Sequence, residues 1–137
     1  MTRLKILVVD DSQINRFVTR EMLTKQGHDV ILADDGEAGV LAFQNNQIDL
    51  ILMDISMPRV DGLEATGIIR KSSTVGAEVP ILAFTAHTFD SDIKKYLETG
   101  LNGYISKPVT GDQLRNAVAQ YHGSEALVDK AVEGGTS

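Results

Sequence analysis

The stretch LKILVVDDS, residues 4–12, is the clearest indication of the fold class in this sequence. Its apolar run does not alternate with polar residues, and it is followed directly by the carboxylates Asp10 and Asp11. A continuous apolar run is typical of a parallel strand that is covered on both faces. The stretch therefore predicts a strand over residues 4–9, with an acidic pair at its carboxyl end.

Four further apolar runs predict more strands, at residues 30–33, 48–53, 79–84 and 103–105. Segments between them have apolar residues at helical spacing. The clearest sets are Ile14, Phe17, Val18 and Met22 in the first helix, Phe89, Ile93 and Leu97 in the fourth, and Leu114, Ala117, Val118 and Tyr121 in the last. This alternation predicts an α/β fold, a doubly wound five-stranded parallel sheet with helices on both faces.

Local signals at the predicted helix ends agree with this pattern. Gly27 and Gly100 stand where two helices should end in a left-handed residue. Thr110 and Gln113 have the spacing of a capping box at the start of the last helix. Beyond residue 122 the composition becomes small and polar, so we expect one domain over 1–122 and a flexible tail or linker over 123–137.

Composition and charge exclude several classes of function. The 137 residues carry a net charge of −6, which argues against direct nucleic-acid binding, because that needs clustered Lys and Arg. The chain has no cysteine, which excludes disulfides and thiolate metal sites and suits a reducing cytoplasm. The apolar runs are too short for a signal peptide or a membrane span, so we expect no direct membrane partner.

Three carboxylates should meet at one edge of the predicted sheet. Asp10 and Asp11 end the first strand and Asp54 ends the third, and ligands of such sheets gather at the carboxyl ends of the strands. Charges about 5 Å apart repel by about 3 kcal/mol at an effective dielectric of roughly 20. Since Mg²⁺ prefers oxygen ligands, we expect a magnesium site. The simpler alternative is that one or two of these acids cap the first helix or face water.

Two more polar side chains, Thr85 and Lys107, end the fourth and fifth predicted strands. A hydroxyl and an ammonium beside carboxylates suit phosphoryl transfer, where catalysis is mainly positioning and charge neutralisation. Asp54 would then be the nucleophile that forms an aspartyl phosphate. Taken singly, Thr85 is an ordinary strand-end residue and Lys107 a solvated charge, so it is their recurrence at strand ends that favours a shared site.

Four motifs, in this order, resemble the response-regulator receiver domains of two-component systems. They are VVDDS at 8–12, MDISMPRVDG at 53–62, FTA at 84–86 and YISKP at 104–108, and the resemblance runs over about 4–121. It implies a flavodoxin-like strand order, 2-1-3-4-5, and a phosphoacceptor role for Asp54. It also implies a cis peptide bond between Lys107 and Pro108, and a loop after the nucleophile shaped by Pro58 and Gly62.

The resemblance further implies a division of roles around the ion. Asp11, Asp54 and the backbone carbonyl of Ser56 would bind magnesium directly, and Asp10 would act through water. Ser56 and His87 occupy positions that tune how fast the phosphoryl group is lost in this family.

A conformational switch is the other implication of the resemblance. Thr85 and Lys107 would contact the phosphoryl oxygens. Thr85 would swing toward them and Tyr104 would rotate inward behind it, so that the face formed by the fourth helix, fifth strand and fifth helix changes. The alternative for Tyr104 is an ordinary half-buried aromatic side chain.

These observations predict a phosphoacceptor receiver domain in a two-component phosphorelay, which takes its phosphoryl group from a partner phosphohistidine. The resemblance implies that the partner is a histidine kinase or a histidine phosphotransfer protein that docks near the first helix, and phosphorylation-dependent homodimers are left open. Asn15 and Arg16 resemble receivers of hybrid sensor kinases. The chain would be a stand-alone receiver or a segment of a hybrid sensor histidine kinase that passes the phosphoryl group to a phosphotransfer domain. It would modify only itself, so we do not expect an enzyme with a separate substrate.

Three other functions fit the sequence less well. A flavin-binding electron carrier would share the fold, but Asp10 and Asp11 would repel the flavin phosphate. An aspartyl-nucleophile phosphatase of the haloacid dehalogenase type needs a second Asp two residues after the nucleophile, whereas Ser12 follows Asp10 and Ser56 follows Asp54 at that spacing. The complete set of polar strand-end residues argues against an interaction module without chemistry.

Overall fold

Strands and helices alternate along the chain, and the computed structural model describes residues 3–55, 61–86 and 88–121. The strands are β1 (Lys5–Val9), β2 (Asp29–Ala33), β3 (Leu50–Asp54), β4 (Ile81–Thr85) and β5 (Gly103–Ser106). The helices are α1 (Gln13–Lys25), α2 (Gly36–Asn45), α3 (Gly62–Ser72), α4 (Thr74–Glu78), α5 (Asp90–Thr99) and α6 (Gly111–Tyr121). All the strands lie where the sequence predicts them, with small differences at their ends.

The strands form one parallel sheet in the order β2-β1-β3-β4-β5, which confirms the predicted order. In this register Val9 pairs with Met53, and Asp54 pairs with Phe84. The strands β1, β3 and β4 therefore end almost level with one another. Their carboxyl ends form the edge at which the sequence analysis expected a site.

Two hydrophobic clusters cover the sheet, one on each face. Successive strand residues alternate between them, because side chains of a strand point to opposite faces. The first cluster includes Leu7, Val9, Ile51, Met53, Ile81 and Ala83 with Phe43 of α2, Ile69 of α3 and Tyr96 of α5. The second includes Ile6, Val8, Leu50, Leu52, Leu82 and Phe84 with Leu23 of α1 and Leu114 of α6. Helices on both faces of the sheet are thus confirmed.

The helical spacing located α1 but did not identify all of its buried side chains. Ile14 and Phe17 are 75% and 54% exposed, and the buried residues of this helix are Thr19 and Leu23. A single helix has several faces on which apolar residues recur at three- and four-residue steps, and tertiary packing selects one of them. Ile14 and Phe17 therefore lie on an exposed face of α1 rather than in the core.

In the predicted fourth helix, which is α5, apolar residues at helical spacing are again exposed. Phe89 and Leu97 are 76% and 51% exposed, and Ile93 is partly buried. The buried side chain of this helix is Tyr96. A short helix that the sequence analysis did not predict, α4, precedes β4, with Ser73 as its N-cap.

The helix-end signals are confirmed. Gly27 and Gly100 have φ values of +93° and +116°, in the left-handed region that glycine adopts without a steric penalty. At the start of α6, the Thr110 amide donates to Gln113 Oε1 at 2.8 Å, and the Gln113 amide donates to Thr110 Oγ1 at 3.2 Å. The capping box therefore forms as predicted.

Arg70 of α3 ties together the chain segments around β4. Its guanidinium donates two hydrogen bonds to the carbonyl of Gly100, at 3.0 and 2.7 Å, and others to the carbonyls of Gly76 and Val79. Burial of the guanidinium lowers the pKa of Arg70. Because Gly100 is the C-cap of α5, this side chain anchors the carboxyl end of α5 to α3.

Within the described part of the chain, every helix falls short of the length and apolar character that crossing a bilayer would require. The tail predicted over 123–137 lies outside the described residues. Ser56, Pro58 and His87 lie outside them as well.

Replacement of Gly62 by alanine is expected to destabilise the domain. A Cβ at this first residue of α3 would meet the carbonyl oxygen of Asp54 and would lie 2.6 Å from Cα of Ile55. Backbone atoms would have to shift, at a cost of about 1–3 kcal/mol. Urea denaturation followed by circular dichroism would measure the loss.

Gly67→Ala provides the matched control in the same helix. A Cβ there would find open space, so alanine should stabilise the helix by about 0.5–1 kcal/mol through its higher helix propensity. Equal effects of the two substitutions would contradict the close packing of α3 against the end of β3.

Candidate functional site

The carboxyl edge of the sheet brings together strand-end residues that are far apart in sequence. Asp10 follows β1, Asp54 ends β3, Thr85 ends β4, and Lys107 follows β5. The parallel strands of the sheet position these residues at its carboxyl edge, where Asp10, Asp54 and Thr85 are buried. The juxtaposition that the sequence analysis expected for these residues is therefore present.

The acidic cluster consists of Asp10, Asp11 and Asp54, whose nearest carboxylate oxygens all lie within 4.8 Å of one another. Asp10 is 0% exposed and Asp54 is 3% exposed, whereas Asp11 is exposed. At such separations each pair of charges repels by about 3 kcal/mol at an effective dielectric of roughly 20. The cluster therefore needs positive charge nearby.

Lys107 supplies part of that charge. Its Nζ atom lies 3.5 Å from Oδ2 of Asp10 and 3.4 Å from Oδ2 of Asp54. One ammonium contacts two of the three carboxylates, so the group as a whole retains a negative charge if all are ionised.

One oxygen of the cluster has no hydrogen bond among the described residues. Oδ2 of Asp10 is buried and accepts none, although it forms the ion pair with Lys107. A buried carboxylate oxygen without a hydrogen bond is costly and needs a partner. Three carboxylates with such an oxygen are a donor set that fits a hard divalent cation such as Mg²⁺.

The turn after β1 fixes the orientation of Asp10. Its Oδ1 accepts a hydrogen bond of 2.9 Å from the Ser12 amide, and the hydroxyl of Ser12 caps α1 by accepting from the Asn15 amide at 3.2 Å. Arg16 Nη1 donates to the Asp10 carbonyl at 2.7 Å. Ser12, rather than an aspartate, is therefore the N-cap of α1, and Oδ2 of Asp10 stays directed at the cluster.

Thr85 makes a contact that the sequence analysis missed. Its Oγ1 lies 3.1 Å from the hydroxyl of Tyr96, and both residues are buried, at 2% and 4% exposure. Tyr104, the predicted partner of Thr85 in switching, is 44% exposed. Tyr96 belongs to none of the four sequence motifs. The only feature of the sequence that could have indicated its contact with Thr85 is a tyrosine in the helix that packs behind the site.

A groove of about 420 Å³ opens beside the acidic cluster, between α1 and the segment that follows β5. Its lining residues are Asp10, Asn15, Val18, Thr19, Phe84, Lys107, Pro108 and Val109. The peptide bond between Lys107 and Pro108 is cis, as the sequence resemblance implied. Helix α1, which lines the groove, also carries the exposed side chains of Ile14 and Phe17.

Comparison with known proteins identifies relatives across most of the chain. The model of the response regulator receiver domain family matches residues 6–119. The autoinducer sensor kinase/phosphatase CqsS of Vibrio cholerae is 40% identical over 117 residues, which are 85% of this chain and 17% of CqsS. The osmosensing histidine protein kinase SLN1 of Saccharomyces cerevisiae is 38% identical over 126 residues, 88% of this chain and 10% of SLN1. The chain thus spans a small part of these relatives.

Solved structures share the fold. The receiver domain of the sensor histidine kinase PA1611 from Pseudomonas aeruginosa, with a magnesium ion coordinated in its active-site cleft, has a TM-score of 0.81 and 35% identity, and the match covers 90% of this chain and 100% of that one. The receiver domain of Ssk1 from Saccharomyces cerevisiae, solved with the histidine phosphotransfer protein Ypd1, has a TM-score of 0.85 and 29% identity, with 93% and 94% coverage. From its family match, strand order and strand-end residues, the chain belongs to the response regulator receiver domain family.

Proposed function

We propose that this domain accepts a phosphoryl group on Asp54 from a partner phosphohistidine and passes the signal on in a phosphorelay. The observation that carries the proposal is the placement of Asp54, which is nearly buried and lies 3.4 Å from Lys107 within the acidic cluster. A carboxylate held beside a cation is a suitable nucleophile for phosphoryl transfer.

The proposed transfer forms one bond and breaks one bond. An oxygen of the Asp54 carboxylate bonds to phosphorus as the phosphorus–nitrogen bond of the donor breaks, and the electron pair of that bond stays on the imidazole nitrogen. The Lys107 ammonium would neutralise charge on the transferring oxygens, and the Thr85 hydroxyl would donate a hydrogen bond to one of them. Charge on those oxygens is thereby stabilised without any further covalent chemistry by the protein.

Asp10, Asp11 and Asp54 would hold a magnesium ion, together with the backbone carbonyl of Ser56 as implied by the resemblance. When bound, the ion supplies charge neutralisation for the carboxylates and for the phosphoryl oxygens. The cluster geometry supports this role, and so does the magnesium ion in the related PA1611 receiver domain. Asp10 would act through water, with its buried Oδ2 facing the cluster.

The partner would dock on α1 beside the groove. Ile14 and Phe17 offer an exposed apolar surface on this helix, 75% and 54% exposed. A related receiver domain, that of Ssk1, was solved in complex with the histidine phosphotransfer protein Ypd1. We therefore propose that a histidine kinase or a histidine phosphotransfer protein covers these side chains while its phosphohistidine reaches Asp54.

The larger context of the domain is also a proposal. The relatives CqsS and SLN1 are sensor kinases of which this chain spans 17% and 10%, which supports a receiver segment of a hybrid sensor histidine kinase as the alternative to a stand-alone receiver. In either context the domain would be a phosphoacceptor without a separate substrate. The domain bounds, the cytoplasmic location, phosphorylation-dependent dimers and the inward rotation of Tyr104 stay predictions.

Incubation with acetyl phosphate and Mg²⁺ should add one phosphoryl group to the protein, detected by intact mass spectrometry. The acyl phosphate should be absent from Asp54→Asn, which keeps the shape of the side chain but removes the nucleophile. Asp112→Asn, at an exposed acid of α6, should be phosphorylated like the wild type. Equal phosphorylation of Asp54→Asn would refute the assignment of the nucleophile.

Magnesium should stabilise the folded domain against heat. At ten times its dissociation constant a ligand of the native state contributes about 1.4 kcal/mol, and calorimetry with and without MgCl₂ would measure this gain. Asp11→Asn should lose most of it because one carboxylate of the cluster is missing. Glu98→Gln, at an exposed acid of α5, should retain it, and an identical gain in both variants would contradict the ion site.

Phe17→Ser should slow phosphoryl transfer from a phosphorylated histidine phosphotransfer protein by about tenfold, because burial of a phenyl ring contributes about 1.5–3 kcal/mol. Phosphorylation by acetyl phosphate should be unchanged, since this donor needs no docking surface. Leu41→Ser is the matched control, because Leu41 of α2 has a similar exposure, 52% against 54%. Loss of transfer with Leu41→Ser alone would move the docking surface away from α1.

A further inference from the structure

The hydrogen bond between Thr85 and Tyr96 links the candidate site to a helix behind it. The two hydroxyl oxygens lie 3.1 Å apart and are buried together. Tyr96 is the buried residue of α5, and its side chain belongs to the hydrophobic cluster on the face covered by α2, α3 and α5. A change at Thr85 is therefore in direct contact with α5.

Strand alternation shows which way Thr85 points. Ala83 and Ile81, the residues two and four positions before it, belong to the cluster that contains Tyr96. Leu50 and Leu52 precede Asp54 in the same two-residue steps, and they belong to the cluster on the opposite face. Because side chains of a strand alternate between faces, the Thr85 hydroxyl is directed to the Tyr96 side and must turn to reach a group carried by Asp54.

The proton of the Thr85 hydroxyl sets a second condition. Phosphoryl oxygens are acceptors, so Thr85 must donate to them, and a hydroxyl has a single proton to donate. As Thr85 turns toward Asp54, its 3.1 Å contact with Tyr96 lengthens, and the buried Tyr96 hydroxyl loses this partner. Loss of a buried hydrogen bond costs free energy, and that cost opposes the turn.

We propose that Tyr96 is a positioning residue that holds Thr85 away from Asp54 in the unphosphorylated domain and transmits the turn of Thr85 to α5. This inference rests on the proposed function, because it assumes that Asp54 carries the phosphoryl group. Tyr96 thus sets how readily the phosphorylated form reaches its switched conformation. Tyr96 acts on the equilibrium between the two conformations. A ligand shifts such an equilibrium only by its differential affinity for the two states.

The anchoring of α5 determines where the displacement acts. Its carboxyl end is tied to α3 by the two hydrogen bonds from Arg70 to the Gly100 carbonyl. At its amino end the N-cap position is occupied by Phe89, whose side chain has no polar atom and is 76% exposed. Tyr96 lies in the carboxyl-terminal half of α5, so its movement would turn the helix about the anchored Gly100 end, with the largest displacement at the amino end.

The test compares binding of beryllofluoride, a stand-in for the phosphoryl group, to the wild type and to Tyr96→Phe in saturating Mg²⁺. The variant keeps the ring and removes the hydroxyl that opposes the turn. Its dissociation constant, measured by an amide NMR titration, should be about two- to tenfold lower than that of the wild type, the range expected for one hydrogen bond. Tyr121→Phe removes a hydroxyl near the end of α6 and should bind like the wild type.

The Thr85→Val background isolates the contact. Because the hydroxyl of residue 85 is then absent, Tyr96→Phe should no longer change the affinity. An unchanged or weaker affinity of Tyr96→Phe, or the same gain in the Thr85→Val background, would overturn the proposal for Tyr96. Failure of the wild type itself to bind beryllofluoride would instead overturn the proposed function.

A measurement on the wild type does not depend on the folding of any variant. On saturation with beryllofluoride and Mg²⁺, the ring resonances of Tyr96 and the amides at the amino end of α5 should shift. The resonances of Tyr121 and of Gly100, which Arg70 holds, should move less. Stationary Tyr96 resonances in a protein that binds beryllofluoride at Asp54 would contradict the proposal.

Discussion

Repulsion among the carboxylates at the carboxyl edge of the sheet is the constraint on which the rest of the site depends. Asp10, Asp11 and Asp54 have oxygens within 4.8 Å of one another, and Lys107 approaches two of them at 3.4 and 3.5 Å. Folding brings these like charges together although the interaction among them alone is unfavourable. The sheet must therefore hold them in place, and the residual negative charge of the cluster suits a divalent cation.

The buried framework of the sheet supplies that rigidity. The strands β1 and β3 are paired in register beside each other and are covered on both faces, so that their ends cannot separate without exposing core side chains. Helix α3 begins directly against the end of β3, where Gly62 leaves no room for a Cβ beside the Asp54 carbonyl. Asp54, the proposed nucleophile, thus lies on a closely packed backbone, while the exposed Asp11 lies in the turn after β1.

The proposed conformational response would depend on contacts on one face of the sheet. Thr85 ends a buried strand, Tyr96 is buried behind it, and Arg70 fixes the carboxyl end of α5 through the Gly100 carbonyl. Loss of a buried hydrogen bond costs free energy, so a change in this contact acts on the helix that carries Tyr96. The same contact would thus convert a rotation of one hydroxyl into a displacement on the surface of the domain.

The sequence by itself determined the sheet and the helix caps, and its resemblance to receiver domains implied the strand order. It also determined that Asp10, Asp54, Thr85 and Lys107 lie at one edge of the sheet, because parallel strands of similar length end at a common edge. Only the tertiary structure decided which faces of α1 and α5 are buried and that Tyr96 reaches Thr85. Helical periodicity leaves several apolar faces to choose from, and a contact between side chains of different elements depends on how those elements pack. Local sequence carries no record of that packing.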